Sequence, residues 1–254
     1  HKWPWREWEK HLDSTACAMH LNQSGDCVYN ALERMEFVYK NVTKVDNILL
    51  VIDHSWLSYT EHATSIQSRN PWQMRPSKDY FDFQKAAIKY FFSINVLKDY
   101  IHIGKDKEFR LPAYMDERGE PHSIGAEWAL ECAPEYYFAT FHREPRSKYD
   151  LYKRDSIEHI GEPVITEKGV ELLSQIHQLF VNGNTNYKIV VSPLFDQIKL
   201  NPIDKSILDS IFDAENVYDY SGINKYTADT LNYYEASHYR PRVAVQILEE
   251  IYAH

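Results

Sequence analysis

The sequence predicts an α/β fold: a three-layer sandwich in which helices cover both faces of a mainly parallel sheet, with a helical or irregular insertion. Three observations carry this expectation. Two apolar runs of strand length, NILLVID at 47–53 and YKIVV at 187–191, lack the alternation of a half-exposed sheet, as strands covered on both faces do. Segments of helical period separate the strand-like runs. Only 8 glycines occur in 254 residues, too few for a fold built on tight hairpins, whose turns need positive φ.

Taken in order, residues 17–20 are expected to form a first short strand. Residues 26–41 place Val28, Ala31, Leu32, Met35 and Val38 on one helical face, and the strand at 47–53 follows. From about 60 to 160 the rhythm breaks into stretches rich in Pro, Arg and acidic residues, NPWQM, LPAYMDERGEP and FHREPRSKYD, which read as an insertion into a single domain spanning 1–254. A helix over Asp82–Lys98 is expected inside it, with Tyr80, Phe81, Phe83, Tyr90, Phe91 and Phe92 packing it onto the sheet. Thr166 is placed to cap a helix with Glu167 in its first turn and Val170, Leu172, Leu173, Ile176, Leu179 and Phe180 on its apolar face. The turn VNGNTN stops that helix, and the strand at 187–191 ends at Ser192-Pro193. A helix over Ile203–Phe212, a strand at 216–220 and an amphipathic helix over Arg242–Tyr252 complete the pattern. Such strands pair in parallel through right-handed crossovers, and the loops at their carboxyl ends form the site.

Composition narrows the function classes. A chain of this length buries roughly 70% of its unfolded surface, and with 44% apolar and 26% charged residues it needs no staples. Twenty-eight basic against thirty-seven acidic residues give a net charge of −9, which repels a phosphate backbone, so no nucleic-acid partner is expected. The three cysteines, Cys17, Cys27 and Cys132, contain no CxxC, and the twelve histidines no HxxxH or HExxH, so no metal is expected. Neither GxGxxG nor GxxxxGK[ST] is present, and no cofactor is expected. No apolar run approaches the roughly 20 residues of a membrane helix. The first ten residues, HKWPWREWEK, are too polar for a signal peptide. Because the first residue is His, an upstream piece is expected to have been removed.

The residues that carry chemistry cluster in DTLNYYEASHYRP, Asp229–Pro241. A carboxylate that holds an imidazole Nδ1–H leaves Nε2 free to take a proton from a nucleophile, and Glu235 with His238 offers that pair just before the last helix. Asp229 is a second candidate orienter. Ser55 in Asp53-His54-Ser55, at the carboxyl end of the strand 47–53, is a candidate nucleophile, although no GxSxG elbow surrounds it.

This terminal block resembles that of the SGNH (GDSL-like) hydrolases, in which Asp-x-x-His precedes the final helix. Asn22–Gly25 resembles the family's second, Asn- and Gly-bearing block, and YKIVVSPLFD followed by LNP its penultimate strand and loop. The likeness covers roughly 1–55 and 165–254, and is strongest to bacterial cell-envelope polysaccharide acyl esterases and acyltransferases. It implies an SGNH/flavodoxin-like sheet and an extracytoplasmic enzyme acting on O-acyl groups of a glycan or another acylated small molecule. In it His238 would be general base and acid, and Glu235 the orienter. Asn22 and Gly25 would be oxyanion donors, with Asp53, His54 and Ser55 in the third block's loop, where His54 or Ser55 would donate to the oxyanion. Two departures stand out: Glu235 replaces the family's Asp, and the family spacing puts the nucleophilic Ser immediately before His1. The alternative is a non-catalytic SGNH-like envelope or glycan-binding protein without a nucleophile. Membrane contact is expected only through an N-terminal anchor preceding the chain.

Overall fold

Three parallel strands organise the chain, and the residues predicted to be buried on both faces are the ones that form them. The computed structural model describes residues 3–21, 23, 25–61, 66–75, 80–94, 97, 154, 157–236 and 238–253, with backbone alone at 67, 234 and 235. The segment 101–153, most of the expected insertion, lies outside these, as do Asn22 and Cys132.

A short helix α1 (Trp5–Glu9) precedes α2 (Val28–Asn41), β1 (Asn47–Ile52) and α3 (His54–Ser58). Then come α4 (Tyr80–Phe91), β2 (His159–Ile160), α5 (Glu167–Asn182), β3 (Asn186–Val191) and β4 (Ile198–Lys199). The order closes with α6 (Pro202–Phe212), β5 (Val217–Asp219), α7 (Lys225–Ala228), β6 (Tyr233–Glu235), β7 (His238–Tyr239) and α8 (Pro241–Ile251). The main sheet runs β1-β3-β5 with every pair parallel, Asn47 opposite Asn186 and Ile189 opposite Val217. β2 pairs in parallel with β4, and β6 with β7 in an antiparallel hairpin. Among the described residues no backbone hydrogen bond reaches β1 from the side away from β3.

Each face of the sheet has its own apolar cluster. Leu50, Ile52, Ile189 and Val191 pack with α2, α5 and α6, where Ile176, Phe180, Leu208 and Phe212 are fully buried. Val190, between Ile189 and Val191, points the other way and joins Trp3, Tyr233, Tyr239 and the buried stripe Val243, Ala244, Ile247, Leu248 and Ile251 of α8. Period two along β3 thus divides its residues between the two clusters, which is why the run carries no polar residue after Lys188.

Local chemistry fixes the helix ends. Thr166 Oγ1 accepts from Gly169 N at 3.2 Å, and Asn201 Oδ1 from Ile203 N at 2.9 Å ahead of Pro202, so both helices start at side-chain caps. At the end of α5 the left-handed residue is Asn184, φ +49°, while Gly183 keeps a negative φ. The Asp204 carboxylate, fully buried in the first turn of α6, accepts from Val164 N at 2.9 Å and Ile165 N at 3.0 Å and so ties the chain before α5 to α6.

Two expectations fail here. Residues 17–20 are not a strand: Cys17 and Met19 are exposed, and only Ala18 is buried, its amide donating to Glu9 Oε1 at 2.7 Å. The aromatic residues of α4 do not pack onto the sheet, since the helix has no buried residue and Phe81 is 85% exposed. Charge anchors α4 instead, with Asp82 paired to the buried Arg69 and 3.9 Å from buried Arg75. That contact belongs to a polar layer on α2 in which Arg34 pairs with Asp26 and donates to Gln23 and Asn70, each at 2.9 Å, while Asn70 also donates to Glu33 at 3.0 Å. Buried charges are tolerated only when paired in this way.

Candidate active site

The three main strands end level. Ser192 N donates to Ile52 O at 2.8 Å and Tyr220 N to Val191 O at 3.1 Å, which brings Asp53, Ser192 and Tyr220 side by side at the carboxyl edge of the sheet. Asp53 leaves β1 in extended backbone and caps α3, its Oδ1 accepting from Trp56 N at 2.8 Å. This cap turns the chain sharply, so that His54 and Ser55 stand in the first turn of a helix held down by buried Trp56 and Leu57. Ser55 is exposed, and its carbonyl accepts from Ser58 Oγ at 2.8 Å. His54 is half-buried; its Nε2 is shut off from solvent and meets no hydrogen-bond partner among the described residues.

The β6–β7 hairpin stands on the same edge. Tyr233 donates its hydroxyl to Pro193 O at 2.8 Å, and Phe195 N donates to Ala236 O at 3.3 Å. The backbone register sets Glu235 opposite His238, so the two residues face each other across an antiparallel pair just before the last helix. Tyr239, next to His238, is buried with its hydroxyl 2.6 Å from Trp3 Nε1. Burial keeps that hydroxyl protonated far above the ordinary tyrosine range; Ser192 and Trp3 oppose the shift and the nearby Asp53 carboxylate adds to it. Ser192 Oγ is itself buried against Tyr239, short of full hydrogen-bond geometry. Tyr239 therefore sets the hairpin of His238 beside Ser192 at the end of β3.

Asp196, in the loop after β3, completes the edge. Burial pushes its carboxyl above the ordinary carboxylate range; the Ile198 amide and the charges of His54 and Arg154 oppose this, while Asp53 reinforces it. Arg154 Nη1 donates to Phe195 O at 2.8 Å and Thr227 O at 2.7 Å, and its guanidinium lies 4.1 Å over the Phe195 ring. Burial thus shifts Asp196 and Tyr239 at this edge, as it shifts Tyr187 and Tyr252 at the opposite one.

The remaining candidates lie around this edge. Gly25 adopts φ +60°, and a Cβ there would fall 2.8 Å from Ser68 Oγ, so a turn only glycine makes freely precedes α2. The Trp56 indole lies near the Asp26 carboxylate, placing that turn beside α3. Asn22 lies outside the described residues. Asp229 is exposed and caps the turn at 230–232, accepting from Leu231 N at 2.9 Å with Arg242 Nη2 at 3.9 Å. Ser192, Asp196, Arg154 and Tyr239 escaped the sequence reading because each reaches this edge through long-range contacts; the only local signal was the end of the run YKIVVSPLFD. An open cleft of about 340 Å³ lies at the opposite, amino edge, lined by Asn47, Thr185, Asn186, Tyr187, Lys188, Asn216 and Tyr252. Tyr187 there donates its hydroxyl to Asp213 Oδ2 at 3.3 Å and lies 3.0 Å from His177 Nε2, whereas the residues singled out in the sequence sit at the other end of the strands.

No family model, curated protein or solved structure matches the chain.

Proposed function

We propose that the chain is an SGNH-type hydrolase or acyltransferase that cleaves O-acyl esters of a cell-envelope glycan, on a three-layer SGNH-like sandwich outside the cytoplasm. One observation supports this reading above the others: the ends of β1 and β3 lie side by side, and the hairpin bearing Glu235 and His238 is bonded to the loop that leaves β3 at that carboxyl edge. Active sites of open parallel sheets form at that edge.

In this reading His238 takes the proton of a serine hydroxyl as the serine oxygen bonds to the ester carbonyl carbon. The tetrahedral oxyanion collapses with loss of the glycan oxygen, which leaves carrying the proton from His238. Water, deprotonated by His238, then releases the acyl group as a free acid; a second hydroxyl in its place makes the reaction a transfer. Glu235 orients the imidazole. Gly25, Asn22 and either His54 or Ser55 are the oxyanion donors, and the buried Nε2 of His54 is a polar atom still lacking a partner at that edge. The serine is assigned to residues preceding His1, where the family spacing puts it.

A fluorophosphonate probe tests the assignment in the chain expressed with the codons upstream of His1. The reading expects one adduct on an upstream serine, lost in His238→Ala and retained in Ser55→Ala. An adduct on Ser55 moves the nucleophile inside the chain. No adduct, together with binding of O-acetylated glycan, favours the non-catalytic glycan-binding protein.

A further inference from the structure

On the side of α8, the sheet is left open at its amino end. Asn47 stands opposite Asn186, and period two along β3 puts Lys188 beside them, on the face where Val190 meets α8. α8 stops at Ile251, and these three polar residues, with Asn216 and Tyr252, line the open cleft of about 340 Å³. The walls are held in place. Lys188 Nζ donates to the Tyr218 hydroxyl at 2.9 Å and lies 4.9 Å from the centroids of both the Tyr218 and Tyr252 rings. The Tyr252 hydroxyl accepts from Trp8 Nε1 at 2.9 Å, and Asn216 Nδ2 donates to Phe212 O at 3.3 Å. By contrast, the side-chain amides of Asn47 and Asn186 have no hydrogen-bond partner, and Lys188 no carboxylate, among the described residues.

We infer that this cleft binds a neutral sugar unit of a glycan. Its volume is near the low end of ligand sites, roughly 300–1,000 Å³, and its lining is polar where most such sites are apolar, so the ligand is small and rich in hydrogen-bonding groups. A sugar hydroxyl both donates and accepts, as a side-chain amide does. Neighbouring strands lie about 4.8 Å apart, which sets the two amides to hydroxyls on different sides of one ring, and Lys188 keeps donors for another. Charge opposes an anionic ligand here. Burial, and then the carboxylates of Asp213 and Glu215, raise the Tyr187 phenol above its ordinary range, so both carboxylates border the cleft, while the ammonium is already shared between two ring faces. Because the walls are fixed beforehand, little ordering is lost on binding. The cleft lies at the other end of the strands from Glu235 and His238 and does not rest on the ester chemistry proposed above.

The test titrates the nitrogen-labelled chain His1–His254 with neutral tetrasaccharides of glucose and of N-acetylglucosamine and, for comparison, of galacturonic acid. A neutral tetrasaccharide is expected to bind and to shift the side-chain NH2 signals of Asn47 and Asn186. Asn47→Ala with Asn186→Ala should weaken that binding at least tenfold, from about fivefold for each lost hydrogen bond, whereas His238→Ala should bind as the parent does. Asn186 is exposed and Asn47 half-buried, so the double variant should melt close to the parent; if it does not, the NH2 shifts of the parent decide. No binding of either neutral tetrasaccharide, binding of the galacturonic acid oligomer alone, or binding without shifts at Asn47 and Asn186 overturns the inference. Binding lost in His238→Ala and unchanged in the double variant overturns it too, and assigns the sugar to the carboxyl edge.

Discussion

Replacing Asp53 by Ala separates what this residue does for the fold from what its position offers to catalysis. Its Oδ1 accepts from Trp56 N at 2.8 Å as the cap of α3. Alanine removes the acceptor, whereas the backbone amide can still find water, because the cap lies at a half-buried position. Loss of such a cap costs about 1 kcal/mol, within a range of about 0.5–2. The helix should survive the loss, since Trp56 and Leu57, 6% and 1% exposed, keep their burial. For a chain of this size, about 1 kcal/mol lowers Tm by roughly 2–4 °C. Urea unfolding should therefore show a lower midpoint for Asp53→Ala at an unchanged slope. Asp53→Asn and Asp53→Ser, which retain a capping oxygen, should recover most of the difference. If Asp53→Asn destabilises as much as Asp53→Ala, the carboxylate acts through its charge and the capping argument is wrong.

Three further substitutions probe other parts of the account. Asp204→Ala leaves the buried amides of Val164 and Ile165 without their acceptor and should cost about 3 kcal/mol in chemical denaturation, with Asp204→Asn recovering part of it. Gly25→Ala forces a side chain into φ +60° against Ser68 Oγ and should lower stability by about 1–2 kcal/mol, while Gly25→Asn should be milder. Burial raises the Asp196 carboxyl above its ordinary 3.8, so the folded chain holds that proton more tightly than the unfolded one. The stabilisation this gives is complete below the ordinary value and is lost as pH rises through the raised one. Asp196→Asn should therefore flatten the pH dependence of the urea midpoint across that window, and an unchanged profile would contradict the assignment.

The elements legible in the sequence were those whose signal is local. Unbroken apolar runs marked β1 and β3, and side-chain oxygens at Thr166 and Asn201 stand where helices begin. The spacing of Val243, Ile247 and Ile251 marked α8. The β6–β7 hairpin was not legible, because strands of three and two residues carry no periodicity and this pair is held by Tyr233 and Tyr239 reaching Pro193 and Trp3. The aromatic residues of α4 showed that an apolar face exists but not which way it turns; the orientation is set by Asp82 meeting Arg69 and Arg75, contacts invisible in a linear pattern. At the candidate site, Asp53, His54 and His238 could be named from position alone. Asp196 and Arg154 could not, since their relevance comes from loops folded over the ends of different strands.

Turnover of an O-acyl substrate by the chain expressed with its upstream codons, compared between parent and His238→Ala, tests the central claim most directly. The account expects kcat on an aryl acetate, and then on an O-acetylated glycan, to fall by roughly 10²–10⁴-fold in His238→Ala, the usual range for losing a proton-transferring group. The urea midpoint should stay close to that of the parent, because His238 is half-buried at the rim of the hairpin. Full activity in His238→Ala would contradict the claim that this edge is an ester-cleaving site.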